Sequence, residues 1–108
     1  MTTHKMHLVT IISEPVLLER IQADLRRLGA TGLTTTEVRG EGSRRVKATE
    51  VPGEKIKVEC IAKAEIAEAI LSHVATEYFT NYSTIAYATE VSVVRPQKFS
   101  GSGEKKAP

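Results

Sequence analysis

The spacing of apolar positions changes repeatedly along the chain, and each change marks an element. His7 to Ile12 (H-L-V-T-I-I) is short, apolar and β-branched, which predicts a first strand buried on both sides. Ser13 then offers a helix cap, Glu14 and Pro15 suit a first turn, and Leu18, Ile21, Leu25 and Leu28 recur at helical spacing until Gly29 supplies a stop. Leu33 to Val38 is threonine-rich without a helical period, hence a second strand with one wet face. Lys55 to Cys60 alternates strictly and places Ile56, Val58 and Cys60 on one face of a third strand. Ile66, Ala67, Ile70, Leu71, Val74 and Tyr78 form the stripe of a second helix over Glu65 to Phe79, ended by Asn81 and Ser83. From Thr84 to Val94, Ile85, Tyr87, Thr89, Val91 and Val93 alternate with Ala86, Ala88, Glu90 and Ser92, which reads as a long fourth strand.

The order strand, helix, strand, strand, helix, strand, joined by right-handed crossovers, predicts an α+β ferredoxin-like domain: βαββαβ, a four-stranded antiparallel sheet with both helices on one face. Its second face is left uncovered. Because Ile, Tyr and Val recur along the fourth strand, burial of that face between subunits is the expectation. The domain is expected over residues 1–94. Residues 95–108 are rich in Ser, Gly, Lys and Pro and are expected to be a disordered basic tail, with too little apolar surface to offset the entropy of ordering them.

Composition narrows the function classes. With 108 residues, 41% of them apolar, the chain suits one domain with a modest core. No apolar run approaches the roughly 18 residues of a membrane span, and Met1 to Lys5 is too polar for a signal peptide, so the cytoplasm is the expected compartment. A lone cysteine, Cys60, fits a reducing environment. The net charge of +2 conceals an uneven distribution. Arg39, Arg44, Arg45 and Lys47 stand against Glu41 in the long connection that follows the second strand, and Arg95, Lys98, Lys105 and Lys106 stand against Glu104 in the tail. Anionic partners are therefore to be sought at those two segments.

The connection from Arg39 to Gly53 exceeds the common length of roughly 2 to 6 residues and is nearly free of apolar side chains. Within it, Gly40 to Lys47 (G-E-G-S-R-R-V-K) joins glycines that admit close backbone approach to Ser43, a hydroxyl donor, and to Arg44, Arg45 and Lys47. Phosphate is the natural ligand of such a set. The motif is neither a Walker loop nor a Rossmann turn, since no G-K-[ST] opens a helix and the stretch follows the second strand without leading into one. A solvated loop is the bland alternative.

Other candidates are weaker. His4 and His7 have metal-ligand spacing for a helix, yet on a strand they point to opposite faces. His73 lies beside the apolar stripe of the second helix and reads as a surface or partner-contact residue, and Cys60 as a packed, inert thiol. The helix carboxylates read as solvated faces. No nucleophile, base or metal constellation emerges, so an enzyme is not expected. An RNA reader would need aromatics on its central strands, and the third strand has none.

Four stretches add a resemblance: Leu8 and Val9 in the first strand; Gly29-Ala30-x-Gly32 after the first helix; Gly42-Ser43-Arg44 with Val46 in the long connection; and Tyr78-Phe79-x-x-Tyr82 leading into Ile85 and Tyr87. In these the sequence resembles the PII-like signalling proteins, most closely the SbtB group of cyanobacterial carbon-sensing proteins, over most of His7 to Phe99. The resemblance implies a homotrimer with an adenine nucleotide (AMP, ADP, ATP or cyclic AMP) in each cleft between subunits, and a flexible T-loop, here residues 39–53, that docks on the membrane bicarbonate transporter SbtA. It implies that Gly42, Ser43, Arg44 and Lys47 hold phosphates and that Thr84 and Ile85 meet the base or ribose through backbone groups. No cofactor is required, although Mg or Ca can bridge ATP phosphates because both prefer oxygen ligands. The chain lacks the T-G-x-x-G-x-G-K motif of PII proteins that sense 2-oxoglutarate and the paired terminal cysteines of many relatives, so neither property is implied. The alternative on the same fold is a metal-responsive trimer of the CutA type using His4, His7 or Cys60, and a further one is a small nucleic-acid binder using the two basic segments.

Overall fold

A computed structural model of the chain describes residues 1–41 and 53–99. Its elements run β1 (His4–Ser13), a 3-10 turn (Pro15–Leu17), α1 (Leu18–Leu28), β2 (Thr34–Arg39), β3 (Glu54–Ala62), α2 (Ala64–Tyr78), β4 (Ile85–Val93) and a last 3-10 turn (Pro96–Phe99). The strands form one antiparallel sheet in the order β2-β3-β1-β4. This is the ferredoxin-like α+β arrangement that the order of periodicities predicts.

Both helices bury their apolar stripes on the same face. Val9 and Ile11 of β1 and Ile56, Val58 and Cys60 of β3 meet Ile21 and Leu25 of α1 and Ala67, Ile70, Val74 and Tyr78 of α2 in a single core. The strict alternation of β3 makes this possible, because a period of two sends its apolar residues to one side and Lys55, Lys57 and Glu59 to the other. β1 departs from alternation: Thr10 on the uncovered side is also buried, and Leu8 and Ile12 are half-buried. Two neighbouring strands shield a central strand even where no helix covers it.

Gly29 ends α1 as expected. It takes φ 117°, a left-handed conformation that side chains rarely adopt, and the Ala30 N–H reaches back to the Leu25 carbonyl at 2.9 Å. Ser13 does not cap α1. It is the last residue of β1, the chain passes through a 3-10 turn before α1 begins at Leu18, and its hydroxyl lies 2.7 Å from that of Thr84.

The expected disorder from Arg95 onward is corrected for its first residues. Pro96–Phe99 form a turn closed by the Lys98 N–H on the Arg95 carbonyl, and the Thr31 hydroxyl donates to the Lys98 carbonyl at 2.8 Å. Phe99 shares a pocket with Leu8, Leu33 and Ile61, and this apolar contact offsets the entropy of ordering the segment. Residues 100–108 lie outside the described part of the chain.

Candidate functional site

The uncovered face carries the site. Ladder register puts Ile12 beside Lys57 on one side and Ile85 on the other, and Thr10 beside Tyr87. At the end of the sheet from which the long connection departs, these residues enclose a groove of about 300 Å³. Its apolar wall is Ile12, Val38, Ile85 and Tyr87, its cations are Arg39, Lys55 and Lys57, and Gly40, Glu41 and Ser83 complete the rim. An apolar slot beside a cluster of fixed positive groups suits a ligand with one flat apolar part and one anionic part.

The base of the connection is fixed. The Gly40 N–H donates to the Gly53 carbonyl at 2.8 Å, extending the β2–β3 ladder by one bond beyond Arg39 and Glu54. Gly53 takes φ 84°, so a side chain there would be strained, and this turn brings the returning chain alongside β2. Residues entering and leaving the connection are thereby set at the rim of the groove.

The residues expected from sequence fall into two groups. Gly42, Ser43, Arg44 and Lys47 lie outside the described residues. Ile85 projects into the groove, whereas the Thr84 hydroxyl engages Ser13 and Thr84 is absent from the groove wall. Arg39, Lys55 and Lys57 were not singled out by sequence reasoning as ligand groups. Their signal was nevertheless present: in a strand that alternates perfectly, lysines opposite the core side must line whatever occupies the free face.

The junction after α2 is held by two side-chain contacts. The Ser83 N–H donates to Glu14 Oε2 at 2.6 Å, and the Ser13 and Thr84 hydroxyls meet at 2.7 Å. Glu14 is itself buried. Further back, the Tyr82 N–H bonds the Tyr78 carbonyl at 3.0 Å, and the two rings lie 6.1 Å apart.

Between the helices, His73 is not a free surface residue. Its Nε2 lies 2.9 Å from Asp24 Oδ2, which also accepts the Tyr78 hydroxyl, while Arg27 reaches Asp24 Oδ1 at 3.1 Å. Partial burial works to raise the Asp24 carboxyl, but the hydrogen bonds from Tyr78, His73 and Arg27 outweigh it and leave the group below the usual carboxylate range. Burial, then the bond to Asp24 and its charge, pushes the Tyr78 phenol well up.

Metal ligation finds little support in the geometry. Among the described residues no group of three or more His, Cys, Asp or Glu could hold an ion. Cys60 is buried in the core opposite Val9, and burial pushes its thiol up to about 11, which keeps it protonated and unreactive. Nor is any helix among the described residues long and apolar enough to cross a membrane.

Comparison with known proteins agrees with this architecture. The chain is 34% identical over 86 residues to the nitrogen regulatory protein GlnK of Escherichia coli, an alignment covering 80% of this chain and 77% of GlnK. Its structure superimposes on a PII-like signalling protein of Thermus thermophilus with TM-score 0.79 and 41% identity, covering 92% of this chain and 99% of that one. It shares its fold with CPII of Thiomonas intermedia, solved with ADP, AMP and acetate, at TM-score 0.80 and 22% identity over 93% of this chain and 99% of that one. The family model described as nitrogen regulatory protein P-II matches residues 6–98, and the chain belongs to that family.

Proposed function

We propose that this chain is a non-catalytic PII-like regulator that binds adenine nucleotides (AMP, ADP, ATP and cyclic AMP) in clefts between the subunits of a homotrimer. The observation that carries the reading is the groove on the uncovered sheet face, where an apolar wall meets Arg39, Lys55 and Lys57 beneath the long connection. The adenine lies against the wall formed by Ile12, Ile85 and Tyr87, and backbone groups of Thr84 and Ile85 meet base or ribose. The phosphates extend toward the connection, where Gly42, Ser43, Arg44 and Lys47 receive them. Each charge-assisted bond contributes on the order of 1.5 to 3 kcal/mol. Micromolar affinity needs about 8 kcal/mol, so a few such contacts together with burial of the base are sufficient. Mg or Ca bridges the phosphates when ATP is bound.

The solved CPII structures support this reading of the fold, since those proteins hold ADP and AMP, in two cases with bicarbonate, and GlnK of Bacillus subtilis is solved with ATP. The exposed Ile85 and Tyr87 support a trimer, because an apolar sheet face of this kind is stabilised by burial against further copies. Occupancy is transmitted through the 39–53 connection, acting as a T-loop, to a membrane bicarbonate transporter of the SbtA kind. That places the protein in the cytoplasm and at the inner membrane surface when docked, in the manner of the SbtB group.

Titration calorimetry with ATP, AMP and cyclic AMP tests the proposal. Micromolar binding of at least one is expected, and no heat from any of them up to millimolar concentration overturns it. Arg44→Ala is expected to weaken ATP more than AMP, because the connection acts on the distal phosphates. Equal losses would move Arg44 away from that role.

A further inference from the structure

The β1–β4 ladder stops at Ile12 and Ile85, yet the same register continues beyond it in side chains. One step further, the Ser13 and Thr84 hydroxyls are in contact at 2.7 Å, and two steps further the Ser83 N–H donates to Glu14 Oε2 at 2.6 Å. Glu14 is 5% exposed, an unusual position for a carboxyl group, which is costly to bury unless hydrogen-bonded. Local structure does not require this acid. It precedes a 3-10 turn and makes no side-chain cap there. What it engages lies 69 residues away, at a residue that forms part of the groove rim.

We infer that Glu14 is a positioning residue for the nucleotide groove: its carboxyl fixes the Ser83 backbone and so sets where Ile85 and the start of β4 stand against a bound base. The inference rests on the nucleotide-binding reading above. The α2–β4 junction from Phe79 to Thr84 follows the last helical residue, and no backbone ladder holds it until Ile85. A two-point clasp from the end of β1 therefore restricts a segment that is otherwise free to shift. Because Glu14 occupies the Ser83 N–H, the groove is left with the Ser83 hydroxyl and the backbone beyond it for recognition. Glu14 touches no ligand in this arrangement and acts through Ser83.

Three measurements on the full chain test this. In the wild-type protein, hydrogen exchange should show the Ser83 amide protected, and a Ser83 amide that exchanges as fast as an open loop overturns the clasp. Glu14→Ala is expected to weaken ATP about tenfold at a temperature where circular dichroism shows the variant folded. Glu14→Gln, which keeps an acceptor oxygen in the same place, should restore affinity to within about threefold. A purely structural acid would lower the melting temperature in both variants and leave affinity of the folded protein unchanged, so Ala binding within twofold of wild type overturns the proposal while leaving nucleotide binding intact. If the wild type itself binds no adenine nucleotide, the reading of the groove fails and this role falls with it.

Discussion

On the helix-covered side of the sheet, Val9, Ile11 and Val58 are wholly buried; on the other side, Ile85 and Tyr87 stand 57% and 50% exposed. The same strands supply both sides. In β4, Ala86 and Ala88 pack toward the helices while Ile85 and Tyr87 face away, the reverse of what folding alone would select. On the covered side the chain also answers its own polar groups, as where Asp24 receives Tyr78, His73 and Arg27. On the open side, Arg39, Lys55 and Lys57 line a groove beside apolar residues. One side is closed within the chain, and the other has apolar and cationic surface whose counterpart must come from outside it.

The sharpest way to break this comparison is to truncate one residue on each side. Ile11→Ala removes a fully buried side chain between β3 and β4 and is expected to cost about 2 to 5 kcal/mol. Tyr87→Ala should cost the isolated chain less than about 1 kcal/mol, since surface substitutions seldom cost more. Its main effect should fall on assembly, read by sedimentation over a range of concentrations, because self-association makes apparent stability depend on concentration. Urea unfolding at high dilution separates the two effects. Comparable losses from both variants there would show that the open face is part of the fold after all.

How much of this the sequence disclosed follows the same division. The element order, the core face of β3 and the Gly29 stop are local properties, written in periodicity and in one residue's conformational freedom. Ser13 could not be placed in the same way. Its composition suits a helix cap, and only a partner 71 residues away keeps it in β1. His73 met the same difficulty, as its partner Asp24 is 49 residues distant on the other helix. Lys55 and Lys57 were visible as the off-core half of an alternation, but their approach to Arg39 depends on strand pairing, which periodicity does not specify. The ordering of Pro96–Phe99 likewise depends on Thr31, far away in sequence.

Acid sensitivity sharpens the covered side. Because the Asp24 carboxyl is held below its ordinary value of 3.8 in the folded protein, its contribution is present above that value and disappears as pH falls through the lower, folded one. Stability should therefore rise with pH through that acidic window. Asp24→Asn should flatten the rise, because the amide binds no proton there, and should lower stability at neutral pH by leaving Tyr78 and His73 with a weaker acceptor. Urea midpoints from about pH 6 down to about pH 3 check this. An unchanged acid slope in Asp24→Asn would assign the pH dependence to other carboxyls.

The smallest expected effect tests where the closed side gives way to ordinary surface. Arg20 and Glu77 form an ion pair at 3.4 Å across α1 and α2, but their side chains are 48% and 42% exposed, so water and salt screen most of the attraction. Glu77→Ala should cost only about 0.2 to 0.5 kcal/mol, and less in high salt. Arg20 does more than pair. Its guanidinium lies 4.8 Å from the centroid of the buried Tyr78 ring, where attraction to the aromatic face contributes on the order of 0.5 to 1 kcal/mol and its stem shields the ring from water. Arg20→Ala should accordingly cost more than Glu77→Ala, and the difference should persist at a salt concentration that abolishes the ion pair. Arg20→Lys separates the two contributions further, because an ammonium can still meet Glu77 but loses the flat stacking surface. Equal and salt-sensitive losses from Arg20→Ala and Glu77→Ala would reduce Arg20 to a surface charge and end the closed side at Asp24 and Tyr78.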